Sequence, residues 1–112
     1  MKYSKKYNCY ATKAGLIYVY YNGKLLLKTI REHNNTSGYQ RVQFNQKVEG
    51  IKQHRNILVH RIVWDAFKGE VPEGYEIDHI DFNRSNNCID NLRLLSIGAN
   101  RRRKKKLEGD DQ

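Results

Sequence analysis

One Asp-His pair, Asp78-His79, is followed by Asn91 twelve residues after the histidine and by Asn100 nine residues later. These residue types suit the hydrolysis of a phosphodiester bond. That reaction needs a base to take a proton from water and a cation to stabilise charge on the phosphate and the leaving oxygen, with both held in place. An imidazole with an unperturbed pKa near ~6.5 is largely neutral at pH 7, so His79 suits the base. Asp78 is a hard oxygen ligand of the kind Mg²⁺ takes, and Asn100 offers a carbonyl oxygen to the same ion. Adjacent strand residues point to opposite faces, so Asp78 and His79 serve both roles together only at a strand end or bulge. The turn-rich stretch Asp81–Asp90 (DFNRSNNCID) places such an end there.

Each of these residues also has a plainer use. An Asp-His pair on a strand is usually structural, and only its coincidence with Asn91 and Asn100 reverses the odds. Asn83, Asn86 and Asn87 read as turn residues that hold the loop through Asx-type hydrogen bonds. For Asp81, loop stabilisation and support of the site are equally open. His60 reads first as packing at a helix N-terminus, with a hydrogen bond near the site as the alternative. His33 and His54 fall outside the pattern as surface residues, and Trp64 reads as core packing rather than a base-stacking platform.

The elements that must position this site follow from periodicity. Leu16–Tyr21 and Lys24–Ile30 are β-branched and aromatic runs joined by Asn22-Gly23, the chemistry of a type I′ hairpin turn. Glu32–Gly38 is loop chemistry, and strands are expected over Tyr39–Phe44 and Ile51–Val59. Ile62, Val63, Ala66 and Phe67 then share one helical face, with Gly69 placed to end the helix and Pro72 beyond it. Glu76–Ile80 and Leu92–Leu95 read as short strands, and Ser96 can cap a final helix carrying Asn100 and the basic run Arg101–Lys106. The fold class is therefore α+β, an N-terminal antiparallel β unit followed by helix, strand, loop, strand and helix. The 112 residues suit one domain, and at 38% hydrophobic its core must be small, with the eight tyrosines as amphipathic cover. We divide it into a β-rich DNA-contacting part (1–58), a catalytic part (59–106) and a tail (107–112).

Charge identifies the partner class. The net charge is +9; the last twelve residues hold +3 of it, so residues 1–100 keep +6 and the body is basic too. That is the footprint of a polyanion partner, double-stranded DNA first. A membrane partner is not expected, because no basic amphipathic helix with an apolar face appears and no apolar run is long enough to span a bilayer. Cys9 and Cys88 match no metal-ligand spacing and read as free thiols in a reducing compartment, with a single disulfide as the lesser option. The expected location is cytoplasmic.

Asp78-His79-Ile80-Asp81-x-Asn83-x-x-x-Asn87, with Asn91-Leu92-Arg93 and Asn100, resembles the phage and intron-encoded HNH endonucleases, which have a ββα-metal fold. The likeness extends upstream through Val59-His60-Arg61-Ile62-Val63, Ala66-Phe67 and, more loosely, Gly38-Tyr39. It implies that Asp78 and Asn100 bind one Mg²⁺ or Mn²⁺, that His79 is the general base and that Asn91 fixes its orientation by hydrogen bonding. Asn100 stands where many such proteins have histidine, which argues for a hard metal over zinc. Arg61, Arg84, Arg93, Arg101, Arg102 and Arg103 are the candidate phosphate contacts. The hairpin is an alternative, lying in a groove with Lys24, Lys28 or Arg31 on the phosphates. One metal per monomer implies nicking of one strand; a homodimer, or help from other phage or mobile-element proteins, stays open. The chain ends about twelve residues after Asn100, which lowers the expectation of an added helix-turn-helix and of a long target site. The competing readings are a DNA-binding module with an unused or decayed nuclease site, and an RNA-directed protein.

Overall fold

The computed structural model describes residues 1–34 and 37–110, with the side chains of all of these except Gln46 and 104–110. Lys104–Lys106 of the basic run, Thr36 of the Glu32–Gly38 loop and the expected tail thus lie wholly or partly outside the described residues.

Strands β1 (Lys2–Ser4), β2 (Cys9–Ala11), β3 (Ile17–Tyr21) and β4 (Lys24–Leu27) form an antiparallel meander in chain order. The β3–β4 turn has Asn22 at φ 50° and Gly23 at φ 75°, the pair of positive angles that a type I′ turn requires. A second sheet joins β5 (Arg31–Glu32), β6 (Gln40–Val48) and β7 (Ile51–Leu58). Here β6 runs four residues past the expected Tyr39–Phe44 while β7 falls within the expected Ile51–Val59, and the two form a ribbon paired from Arg41↔Leu58 out to Val48↔Ile51. Its tip repeats the left-handed pair, with Glu49 at φ 52° and Gly50 at φ 80°. Glutamate is a poor signal for positive φ, so the sequence hid this hairpin. Strands β1 and β2, three residues each, also carried no readable period.

Helix α1 (Val59–Lys68) follows β7 directly and supplies the largest share of the core of any element. Val59, Ile62 and Val63 are fully buried, at roughly 1.5–3 kcal/mol each, and Trp64 is buried beside them. The expected face is present, with Ala66 and Phe67 half-buried at its edge. Gly69 ends the helix at φ 87° and donates its N–H to Asp65 O at 3.1 Å. Against α1 pack Cys9, Ala11 and Ile17 from the meander, Val42 and Ile57 from the ribbon base, and Ile89 and Leu92 from the C-terminal part. The β-rich part and the C-terminal part therefore share one core. Ser4, fully buried, fastens β1 to the helix by donating from Oγ to Asp65 Oδ2 at 2.6 Å. Tyr3, Tyr10 and Tyr20 cover the outside of the meander, with ring centroids 5.1 and 5.5 Å apart. Both cysteines are free, and burial, seconded by Asp65, pushes the Cys9 thiol up to about 11.

The remaining elements are β8 (Tyr75–His79), β9 (Leu92–Ser96) and α2 (Ile97–Asp110). Strands β8 and β9 pair antiparallel from Tyr75↔Ser96 to His79↔Leu92, and Ser96 Oγ accepts the Ala99 N–H at 3.2 Å to cap α2. The loop between the strands rests on the meander. Ile89 donates its N–H to Lys13 O at 2.8 Å, and Gly15, at φ 96°, sits so close that a Cβ there would meet Asn87 O at 3.0 Å. Gly15→Ala should therefore cost about 1–3 kcal/mol, from a strained φ and a clash with backbone that cannot move freely. Urea unfolding of the variant beside wild type measures this, and an unchanged midpoint would show that the loop does not lean on the meander.

Candidate active site

Strand alternation sorts the end of β8. Glu76 and Asp78 make their side-chain contacts with α2, while His79 turns to α1 and the loop. Asp78 is 5% exposed, and its Oδ2 accepts from Arg93 Nε at 3.1 Å and from Arg103 Nη1 at 2.5 Å. Arg93 is its cross-strand partner on β9 and Arg103 comes from α2. Asn100, 2% exposed and three residues before Arg103, donates from Nδ2 to Glu76 Oε1, and its Oδ1 is buried without a hydrogen-bond partner.

His79 is also 5% exposed. Its Nε2 lies 2.8 Å from Asn87 Oδ1, and its ring meets that of His60 edge-on at 5.1 Å. Tyr39 closes the cluster, 5.4 Å from the His60 ring and 6.1 Å from His79. The histidine is therefore oriented by Asn87, and the expected contact from Asn91 is not made. Asn91 instead binds the loop itself. Its Nδ2 donates to Asp81 Oδ1 and to Asn86 O at 2.9 Å, and its Oδ1 accepts the Asp81 N–H at 3.2 Å. Asn87 had looked like one more turn residue in a run of four asparagines, and only burial separates it from its neighbours.

Asp81 is the hub of that loop, in line with its loop-holding reading. Its carboxylate accepts from Asn86 Nδ2, the Asn83 N–H and Asn91 Nδ2, and these bonds, in that order, hold it below the usual carboxylate range. Phe82 adopts φ 63°, a conformation that disfavours a bulky residue, and the Arg103 guanidinium stacks on its ring at 3.6 Å. Arg103 also donates from Nη2 to Ile80 O at 2.6 Å.

The six candidate phosphate contacts divide. Arg93 and Arg103 are engaged with Asp78, and Arg84 lies over the Tyr39 ring at 4.5 Å while donating to Ser37 O at 2.7 Å. Arg61, Arg101 and Arg102 are exposed, and Arg61 borders a cleft of about 390 Å³ that His60 and Glu76 also line. Among the described residues no three His, Cys, Asp or Glu side chains gather into a metal-binding group. A magnesium-type ion does not require one, because it keeps waters and phosphate oxygens and takes only one or two protein ligands. The orphaned Asn100 Oδ1, in the same β8–α2 interface as the Asp78 carboxylate, is a donor set that fits such a hard cation.

Comparison with known proteins agrees with this geometry. The model of a family described as HNH endonuclease matches residues 58–102. The chain is 36% identical over 66 residues to the gene 5.3 protein of Enterobacteria phage T3, covering 59% of this chain and 63% of that one. It is 57% identical over 35 residues to protein 3.8 of Escherichia phage T7, covering 31% of this chain and 29% of that one. Over 82 residues it is 29% identical to the SPbeta prophage-derived YosQ of Bacillus subtilis strain 168, named as an HNH homing endonuclease, covering 70% and 46% of the two chains. The solved structure of the HNH homing endonuclease I-HmuI, described as binding and cleaving DNA, superposes with a TM-score of 0.69 at 28% identity, covering 96% of this chain and 58% of that one. The chain thus spans less than two thirds of the length of these relatives.

His60 carries a testable property of the cluster. It is 6% exposed with Nδ1 unpartnered, and burial, aided by the charges of His79 and Arg61, pushes its pKa down from 6.5 to about 3. The folded state holds it neutral while the unfolded chain binds a proton below pH 6.5, so its effect is to destabilise the fold as pH falls from 6.5 toward 3. The slope approaches about 1.4 kcal/mol per pH unit. Urea titrations at pH 7 and pH 5 should show a smaller loss of stability in His60→Gln than in wild type; equal losses would mean that His60 does not titrate with folding.

Proposed function

We propose that this chain, whose residues 58–102 match the HNH endonuclease family model, is a metal-dependent DNA endonuclease that hydrolyses phosphodiester bonds and nicks one strand per site. The observation that carries the reading is the contact between His79 Nε2 and Asn87 Oδ1. A carbonyl oxygen only accepts, so the proton of the neutral imidazole sits on Nε2 and the lone pair on Nδ1. Nδ1 is then the atom that takes a proton from water as the water oxygen attacks phosphorus. Asp78 and Asn100 would hold Mg²⁺ or Mn²⁺, which supplies positive charge to the phosphate and to the departing 3′ oxygen. Asn91 supports this chemistry at one remove, by fixing the loop that carries Asn87. The Tyr39 and His60 rings flank the imidazole.

Double-stranded DNA is the proposed substrate. The β6–β7 ribbon is a better groove reader than the β3–β4 hairpin, because it is longer and its exposed residues include Lys47, Lys52, Gln53, His54, Arg55 and Asn56. Arg61, Arg101 and Arg102 add exposed charge for the backbone. Double-strand breaks would take a second copy or a second event. The phage and prophage origin of the relatives supports a setting in a bacterial host cytoplasm, and among the described residues no helix is long and apolar enough to cross a membrane.

One observation favours a second reading. Asp78 is already neutralised by two guanidinium groups, as suits a DNA-binding module that does not cut. Nicking of supercoiled plasmid separates the two. The enzyme should nick with Mg²⁺ or Mn²⁺ and stop with EDTA, and His79→Ala should lose roughly 10²–10⁴-fold in rate while binding DNA normally. Full activity in His79→Ala, or no nicking under any metal, refutes the nuclease reading. Binding by wild type should weaken steeply with salt, with a log–log slope of about −0.9 per phosphate contacted.

A further inference from the structure

We propose that Glu76 is a positioning residue of the metal site, whose carboxylate orients the Asn100 amide so that its carbonyl oxygen, rather than its NH₂ group, is offered to a divalent cation. This rests on the proposed role of Asn100 as a metal ligand. The two ends of a carboxamide are nearly the same size but opposite in polarity, and one ring-flip-like rotation exchanges a ligand for a group that repels a cation. Shape alone cannot choose between them inside a buried interface. A hydrogen-bonding partner can. An ionised carboxylate only accepts, so the end of Asn100 that faces Glu76 must be Nδ2, and the other end must be Oδ1.

The secondary structure provides this pairing directly. Glu76 and Asp78 are two apart on β8 and so share a face, while Asn100 and Arg103 are three apart on α2 and so share a stripe. The two rows meet in step, Glu76 on Asn100 and Asp78 on Arg103. Asn100 is 2% exposed, and Oδ1 is left buried with no donor. Leaving a buried carbonyl unpaired is costly unless something else meets it, and a cation is the partner consistent with its neighbour Asp78. A purely structural Glu76–Asn100 pair needs no unpaired oxygen on its far side.

Glu76→Gln tests the idea, because it keeps size and hydrogen bonding but can face either end of the amide. Mn²⁺ binding would be measured by calorimetry on the whole chain in wild type, Glu76→Gln, Asn100→Ala, Asp78→Ala and the Glu76→Gln/Asn100→Ala double variant, with thermal melts to check folding. Glu76→Gln should weaken Mn²⁺ binding roughly 10-fold or more, the usual effect of losing a residue that orients a ligand. In the Asn100→Ala background the same change should have no further effect, because the two act through one amide. Wild-type affinity in Glu76→Gln, or an equal loss in both backgrounds, overturns the inference alone. If Asp78→Ala and Asn100→Ala leave Mn²⁺ binding untouched, the metal site itself falls and takes this inference with it. A second measurement needs no variant to fold. In metal-free ¹⁵N-labelled wild type, one Asn100 side-chain amide proton should be shifted downfield and protected from solvent exchange by the carboxylate. A freely exchanging pair would refute the orientation.

Discussion

The C-terminal half is organised by a carboxylate that has been taken out of water. Asp78 retains 5% of its exposure, and a buried charge of this kind is tolerated only when paired and hydrogen-bonded. Its two partners arrive from different elements, Arg93 from the neighbouring strand and Arg103 from the helix. The register of β9 and the roll of α2 are thereby tied to one atom, Asp78 Oδ2. Arg103 extends the tie through Ile80 O and the Phe82 ring, holding the chain where it leaves the strand in a disfavoured conformation. The residue with the strongest claim to ligate a cation is thus also the residue that assembles the ββα unit.

The imidazole depends on a second, separate framework. Asp81 gathers three amide donors, and the loop so fixed delivers Asn87 to His79. From behind, Lys13 O and the bare backbone of Gly15 support the same stretch. From the front, Tyr39 and His60 confine the ring, and Arg84 holds Tyr39 by covering its face. The N-terminal sheet therefore helps to position the proposed site as well as offering a candidate surface for DNA. A shell of this depth restricts the His79 side chain to a narrow range of positions, as the proposed role of a general base requires.

Much of this was legible in the order of residues. Asn22-Gly23 marked its turn, the apolar face of α1 marked the core, and Gly69 and Ser96 marked two helix ends, because each rests on local chemistry. Positions fixed by distant partners were harder. Asn87 and Asn91 are identical in type and four apart, and which one reaches the histidine depends on how the loop folds back. The arginines show the same limit. A guanidinium reads as a phosphate contact in any basic chain, and only the tertiary fold reveals that Arg84, Arg93 and Arg103 also bind groups of the protein itself. The outer part of the ribbon is hard to read in sequence because, between Phe44 and Ile57, most of its residues are polar on both faces.

That two-sided polarity gives the ribbon a mechanical character unlike the rest of the chain. Near α1 it is anchored by Val42 and Ile57, but from Asn45 and His54 outward its described side chains are exposed and each strand has only the other to hold. A two-stranded segment without a packed layer is marginal by itself, so its amides open by local fraying while the α1 core stays closed. Such an arm can coil and flex at little energetic cost. The residues of the proposed site, seated in the rigid part, do not move with it.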